Sequence, residues 1–216
     1  MSNMLRQLLM DPPTPELKVG PYTTKRVTDP YECELAFRHR HDVYVEAGYL
    51  EAGSVPDRIY TDMFDPLAIQ IAAFDADGSV VGSTRLVPPS SMGFPVERLF
   101  RFELDNSVDP WGVAAVGRLA VSPSHRGKSR AVCVGLITMV IHHLHALGVN
   151  HWMAFMHPVL WRTLTRMGIP VERLPELAPG FNELLNRNKL PGYFAREGAA
   201  PAVCSMQAMD ASLLNS

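Results

Sequence analysis

The residues best suited to chemistry lie in one run, Val116-Gly117-Arg118-Leu119-Ala120-Val121-Ser122-Pro123-Ser124-His125-Arg126-Gly127-Lys128-Ser129-Arg130-Ala131. A β-branched strand enters a short Ser/Pro turn, a basic glycine-containing loop follows, and a long apolar helix begins near residue 130. That order brings backbone N–H groups and a helix N-terminus to one point beside Arg126 and Lys128, an arrangement that suits a phosphate or pyrophosphate. A phosphate socket at a strand end implies a carrier-borne substrate and therefore an enzyme.

A second set consists of arginines in apolar surroundings: Arg40, Arg85 and Arg118. An arginine inside an apolar strand is costly unless paired, so Arg85 and Arg118 are expected to meet carboxylates, with Asp62, Asp65 and Glu46 as candidates. Such a network is structural, or it shapes a pocket where an arginine grips a carboxylate in bidentate fashion, and both roles can hold together. His142, His143 and His145 crowd one helix, but no pair has the i, i+4 spacing of a helical zinc site, so no metal is expected. Cys133 falls on a largely apolar helix and reads as buried packing.

The elements that must position these residues follow from periodicity and punctuation. Residues 1–21, with four prolines, read as an arm, and Tyr22–Val27 as a short strand. Asp29-Pro30 starts a helix over 31–49, with Leu35, His39, Val43 and Ala47 on one face. The apolar run 67–74, the Asp77-Gly78 turn and the run Val80–Val87 predict a hairpin. Residues 90–111 read as irregular, and Val113–Val121 as the strand that feeds the basic loop. A helix over about 130–147 ends at Gly148, a strand spans 150–156, and a helix spans 158–167 before Gly168; the tail predicts modest strands at best. No repeat or linker interrupts this order. The expectation is an α/β (α+β, mixed-sheet) domain over residues 22–216, with parallel pairing around the long helix.

Composition narrows the function classes. A formal charge of −2 over 216 residues leaves no basic footprint for nucleic acid. Three cysteines (Cys33, Cys133 and Cys204) stand far apart, which argues against a disulfide framework. No segment approaches the ~20 apolar residues of a membrane span, and the first apolar run is too short for a signal peptide. A cytoplasmic location is the expectation.

Four pieces in this order resemble the Gcn5-related N-acetyltransferase (GNAT) fold, and within it the acyl-homoserine-lactone synthases and long-chain N-acyl amino acid synthases. The six residues Arg126 to Ala131 are similar to the family's pyrophosphate loop, Arg/Gln-x-x-Gly-x-Gly/Ala, with Ser129 where glycine is usual. Phe37-Arg38-His39-Arg40-His41-Asp42-Val43-Tyr44 resembles the FRxRxxVF helix, and Asp62-x-x-Asp65 follows at the family interval. Gly82-Ser83-Thr84-Arg85-Leu86-Val87-Pro88 resembles the G-x-x-RLLP strand end, and Arg118 matches a family arginine. Two positions depart from the lactone synthases: Ala115 replaces an acidic residue, and Tyr49-Leu50 replaces a tryptophan. The departures favour the amino acid synthase branch.

The resemblance implies acyl transfer from a pantetheine thioester, on CoA or an acyl carrier protein, to a small-molecule amine such as an amino acid, with no covalently bound cofactor. It implies a GNAT-like sheet flanked by helices. Backbone N–H groups around Arg118 and Leu119 would stabilise the oxyanion, while Val121, Arg126, Gly127, Lys128, Ser129, Arg130 and Ala131 would hold the donor. Arg126, Lys128 and Arg130 would equally dock an acidic carrier protein. Arg40 and Arg85 would shape the acceptor pocket. Met153 and Phe155 either line an acyl tunnel or belong to the core. Glu46, Asp62 and Asp65 are candidate bases for the amine proton, and spacing does not choose among them. The alternatives are a lactone synthase using S-adenosylmethionine and a non-catalytic module that binds acyl carriers or CoA.

Overall fold

A computed structural model describes residues 15–98, 108–126, 130–174 and 198–215. Its strands are β1 (Glu16–Val19), β2 (Tyr22–Val27), β3 (Ile69–Phe74), β4 (Val80–Val87), β5 (Val113–Val121), β6 (His151–Met156), β7 (Glu172–Arg173) and β8 (Ala200–Ser205). The α-helices among the described residues are α1 (Pro30–Glu46), α2 (Ala131–Leu147), α3 (Pro158–Arg166) and α4 (Met206–Asn215). The strands run in the order β1-β2-β3-β4-β5-β6-β8-β7. The ladders β1–β2, β2–β3, β3–β4, β6–β8 and β7–β8 are antiparallel and the β5–β6 ladder is parallel, so the sheet is mixed. The chain divides into two compact units.

The first unit holds residues 15–87 and Val116–Ala146. Asp29 caps α1 by accepting from the N–H groups of Tyr31 and Glu32 at 2.9 and 3.1 Å, and Pro30 fits the first turn because its missing N–H is not needed there. The β3–β4 hairpin turns at Asp75, whose carboxylate accepts from the Asp77 and Ser79 N–H groups at 3.1 and 2.9 Å, and Gly78 supplies the positive φ of 79°.

β4 is buried on both faces beyond its first residue, so the polar Ser83, Thr84 and Arg85 in its middle must find partners inside the fold. Its alternation serves both helices. Ser83 hydrogen-bonds His39 of α1, while a Cβ at Gly82 would come within 2.5 Å of Val132 on α2. Gly82 is therefore glycine so that α2 can pack against the strand. Val27, Ala36, Ala72 and Phe74 form the core between α1 and β2–β3, with Cys33 and Val80 at its margin.

The second unit contains the start of β5, β6 to β8, α3 and α4. The β5–β6 ladder runs from Val113↔His151 to Ala115↔Met153, and β6 pairs with β8 along its whole length. The buried side chains here are rich in sulfur: Met153, Met156, Met167, Met206, Met209 and Cys204.

Two expectations are corrected. Glu16–Val19, read as part of an arm, pairs with β2 as an edge strand. The tail, read as modest strands at best, carries β8 and a ten-residue helix. The strand lies within that expectation and the helix is what it missed; Pro201 cannot donate to the ladder, but its carbonyl accepts from Leu174 N–H at 3.1 Å.

Candidate active site

The first unit gathers Arg40, Asp62, Asp65, Arg85 and Arg118 into one hydrogen-bonded lattice. Its foundation is the turn over residues 62–65. Asp65 N–H donates to the Asp62 carbonyl at 3.1 Å, and the Asp65 carboxylate accepts from Asp62 N–H at 2.8 Å. The Asp-x-x-Asp spacing thus closes a turn that presents both carboxylates together, and Phe64, 3% exposed, anchors it.

Arg85, on β4, grips Asp62 in bidentate fashion, Nη1 to Oδ1 at 2.6 Å and Nη2 to Oδ2 at 2.8 Å. Its Nη1 also lies 2.9 Å from Asp65 Oδ2. Arg40, from α1, donates to both Asp65 oxygens at 3.0 and 3.1 Å and to Gln70 Oε1 at 3.0 Å. Gln70 lies opposite Arg85 in the β3–β4 register, and its amide donates back to Asp65 at 3.0 Å. Arg118, from β5, donates to Asp62 Oδ2 at 2.7 Å and to Tyr60 Oη at 2.9 Å, and its guanidinium lies 4.8 Å from the Tyr60 ring centroid. Tyr44 and Tyr49 extend the aromatic contacts from Tyr60.

The electrostatics follow. Burial raises the Asp62 carboxyl, but the hydrogen bonds and charges of Arg85 and then Arg118 outweigh it and hold it far below the usual carboxylate range. Asp65 is lowered in the same way by Arg40 and Arg85 against its own burial. Both carboxylates therefore stay ionised with their lone pairs committed, which makes them holders of the lattice and poor proton acceptors.

The arginines differ in access. The Arg40 and Arg85 side chains are 1% and 2% exposed, whereas Arg118 is 20% exposed. Arg118 also has φ of +57°, a left-handed conformation that non-glycine residues seldom adopt and that is often retained at functional sites.

The other sequence-derived positions fall elsewhere. Glu46 is exposed at the end of α1, and none of the lattice bonds above reaches it. Leu119 is half-buried beside Arg118, and Val121 ends β5, its carbonyl accepting from Arg126 Nε at 2.8 Å. Arg130 is exposed with φ of +50°, and Ala131 is the buried first residue of α2. Gly127, Lys128 and Ser129 lie outside the described residues. Met153 and Phe155 lie on β6 of the second unit, the first 1% exposed and the second half-buried. Burial pushes the Cys133 thiol up to about 11, as suits a packing role. Among the described residues no group of three or more His, Cys, Asp or Glu side chains could hold a metal ion.

Sequence reasoning missed Tyr60 and Gln70. Gln70 did carry a signal, as the lone amide in the apolar run 67–74, where a buried amide requires partners.

The sequence model of the family described as "N-acyl amino acid synthase FeeM" matches residues 35–174, more than half of the chain. The chain belongs to the FeeM family. Its members are N-acyltransferases, and this chain transfers an acyl group to an amine. The solved structure of FeeM, an N-acyl amino acid synthase from uncultured soil microbes, is similar with a TM-score of 0.60 at 13% identity, covering 88% of this chain and 93% of that one. The acyl-homoserine-lactone synthase LasI gives 0.62 at 16% identity, with 90% and 94% covered. A GNAT-family acetyltransferase from Staphylococcus aureus Mu50 gives 0.51 at 11% identity, with 86% and 99% covered. The sheet and helices are thus those of a GNAT-like acyltransferase. No curated protein sequence matches the chain.

Proposed function

We propose that this FeeM-family enzyme acylates the amino group of an amino acid and that Arg118 receives the acceptor's carboxylate. The observation that carries this reading is the charge balance of the lattice. Three guanidiniums surround two carboxylates, and Arg118 is the guanidinium with the greatest exposure. A surplus positive charge at that edge favours an anionic group, and a guanidinium's five donors leave capacity after Asp62 and Tyr60 are served.

The donor is an acyl thioester carried on CoA or an acyl carrier protein, its phosphates held by the loop from Arg126 to Ala131 as the motif suggests. The amine nitrogen attacks the thioester carbonyl carbon, an oxyanion forms and is met by backbone N–H groups near Arg118 and Leu119, and the C–S bond then breaks to release the thiol. The ammonium must first lose a proton. Glu46 stands outside the lattice, so it is the base we propose among the three carboxylates, acting directly or through water.

The test is thiol release and product mass with a panel of acyl-CoA and acyl carrier protein donors. The acceptors are amino acids, their decarboxylated amines and S-adenosylmethionine. N-acyl amino acids are expected as products, with decarboxylated amines poor and Arg118→Ala losing about 100-fold or more in kcat/KM, as for a buried charged hydrogen bond. Equal use of decarboxylated amines overturns the carboxylate assignment. A lactone made from S-adenosylmethionine establishes the lactone synthase instead; Ala115, buried where those enzymes carry an acid, weighs against it.

A further inference from the structure

We infer that Thr84 is a positioning residue for the acyl-transfer step, aiming the backbone N–H of Arg118 at the reacting carbonyl. Thr84 lies on β4, 2% exposed, and its hydroxyl donates to the Gly117 carbonyl at 3.0 Å. A carbonyl oxygen has two lone pairs, and a side chain of the neighbouring strand grips this one immediately before the residue with φ of +57°. The irregularity in β5 and the side-chain bond that supports it therefore coincide.

The consequence is geometric. In a trans peptide the C=O and the following N–H point in opposite directions. Fixing the Gly117 carbonyl toward Thr84 on β4 turns the Arg118 N–H away from β4. Two further observations mark that neighbourhood as reserved. Val116, Gly117, Arg118 and Leu119 are half-buried in a strand whose residues 113–115 are fully buried. At Gly117 a Cβ would find no heavy atom within 4 Å among the described residues, and its φ is not positive, so neither packing nor backbone conformation requires glycine there. Vacant space beside a directed N–H suits a developing oxyanion.

The same hydrogen bond helps hold Arg118 in its left-handed conformation, which is costly for a non-glycine residue unless the surroundings enforce it. The Asp62 and Tyr60 bonds fix the guanidinium end and Thr84 fixes the backbone end. Thr84 touches no reacting atom; it acts through the Gly117–Arg118 peptide.

This inference rests on the acyl-transfer chemistry and not on which acceptor is used, and its test separates the two. Wild type, Thr84→Val and Thr84→Ser are compared for thiol release with the best acceptor and, separately, with the acceptor omitted, where water attacks the same thioester. Valine keeps the shape and removes the donor; serine keeps the donor. Thr84→Val is expected to lower kcat about 10- to 100-fold in both arms, short of or equal to removal of one oxyanion donor, with donor KM changed less than about threefold. Thr84→Ser is expected to restore kcat to within about threefold of wild type. Gly117→Ala is expected to keep its thermal midpoint, because the strand has room for a methyl, and to lose donor turnover.

Wild-type kcat in Thr84→Val overturns the proposal. Equal loss in Thr84→Val and Thr84→Ser, or full activity in Gly117→Ala, also overturns it. If decarboxylated amines serve as well as amino acids while the Thr84 series behaves as expected, the carboxylate assignment fails and this one stands.

Discussion

The two units of the chain hold their interiors by opposite means. Around β4 the first unit holds arginines and aspartates whose hydrogen bonds tie their terminal nitrogens and carboxylate oxygens to named partners. The second unit buries methionines, whose flexible thioethers fill space with little directional demand. The difference teaches where specificity is stored. A charged lattice tolerates one arrangement because every alternative strands a buried charge, while a methionine-rich interior tolerates many shapes of similar volume. A recognition device for a polar acceptor belongs with the first kind of packing.

The comparison is broken most severely by removing one member of the lattice. Arg85→Ala leaves Asp62 and Asp65 without a shared cation in a buried site, and about 3–5 kcal/mol of unfolding free energy is expected to be lost, measured by urea titration. A loss below 1 kcal/mol would show that water repairs the lattice.

Acid gives the next effect. His39 bridges Ser83 and Ser122 through its two ring nitrogens at 3.2 and 3.0 Å. Burial pushes it down to about 4 from 6.5, against Asp42, which raises it, and with smaller lowering by Arg40 and His125. A depressed histidine means that the unfolded chain takes up the proton first. The His39 contribution is therefore intact above pH 6.5 and is lost as pH falls toward 4, by about 3 kcal/mol. His143, also lowered by burial, acts in the same direction, so the quantity to measure is the difference between wild type and His39→Gln. Asp62 and Asp65, with depressed carboxyls, add their own loss only below the ordinary carboxylate range near 3.8. A difference that is flat between pH 7 and 4.5 would refute the His39 assignment.

The mildest test sharpens the contrast through conservative exchanges. Met153→Leu, in the methionine-rich interior, is expected to cost less than about 1.5 kcal/mol. Arg85→Lys retains the charge but cannot reproduce the bidentate grip on Asp62, and about 2 kcal/mol is expected from the lost charged hydrogen bond. Thermal or urea unfolding of the pair decides it; the reverse order would erase the distinction between the two interiors.

The sequence showed the elements clearly wherever apolar periodicity and punctuation agreed. Tyr22–Val27, Val80–Val87 and Val113–Val121 emerge with the bounds expected of them. Where local signals misled, the partner lay far along the chain. β1 is stable through its pairing with β2, and β8 is held against β6 although it contains a proline. At the site, the demand that a strand arginine find a carboxylate anticipated Arg85 and Arg118 with Asp62. It could not anticipate Tyr60 or Gln70, since any polar residue brought near would satisfy the same demand.

By itself the sequence determined the alternation of strands and helices, the presence of arginines that must be paired, and the aspartates available to pair them, because burial cost and backbone periodicity are local properties. Only the tertiary structure decided that Arg118 stands in a left-handed conformation, that Thr84 holds the carbonyl before it, and that Arg118 is more exposed than Arg40 and Arg85. Those facts depend on strands meeting across tens of residues, where hydrogen-bond direction is set by register and not by residue type.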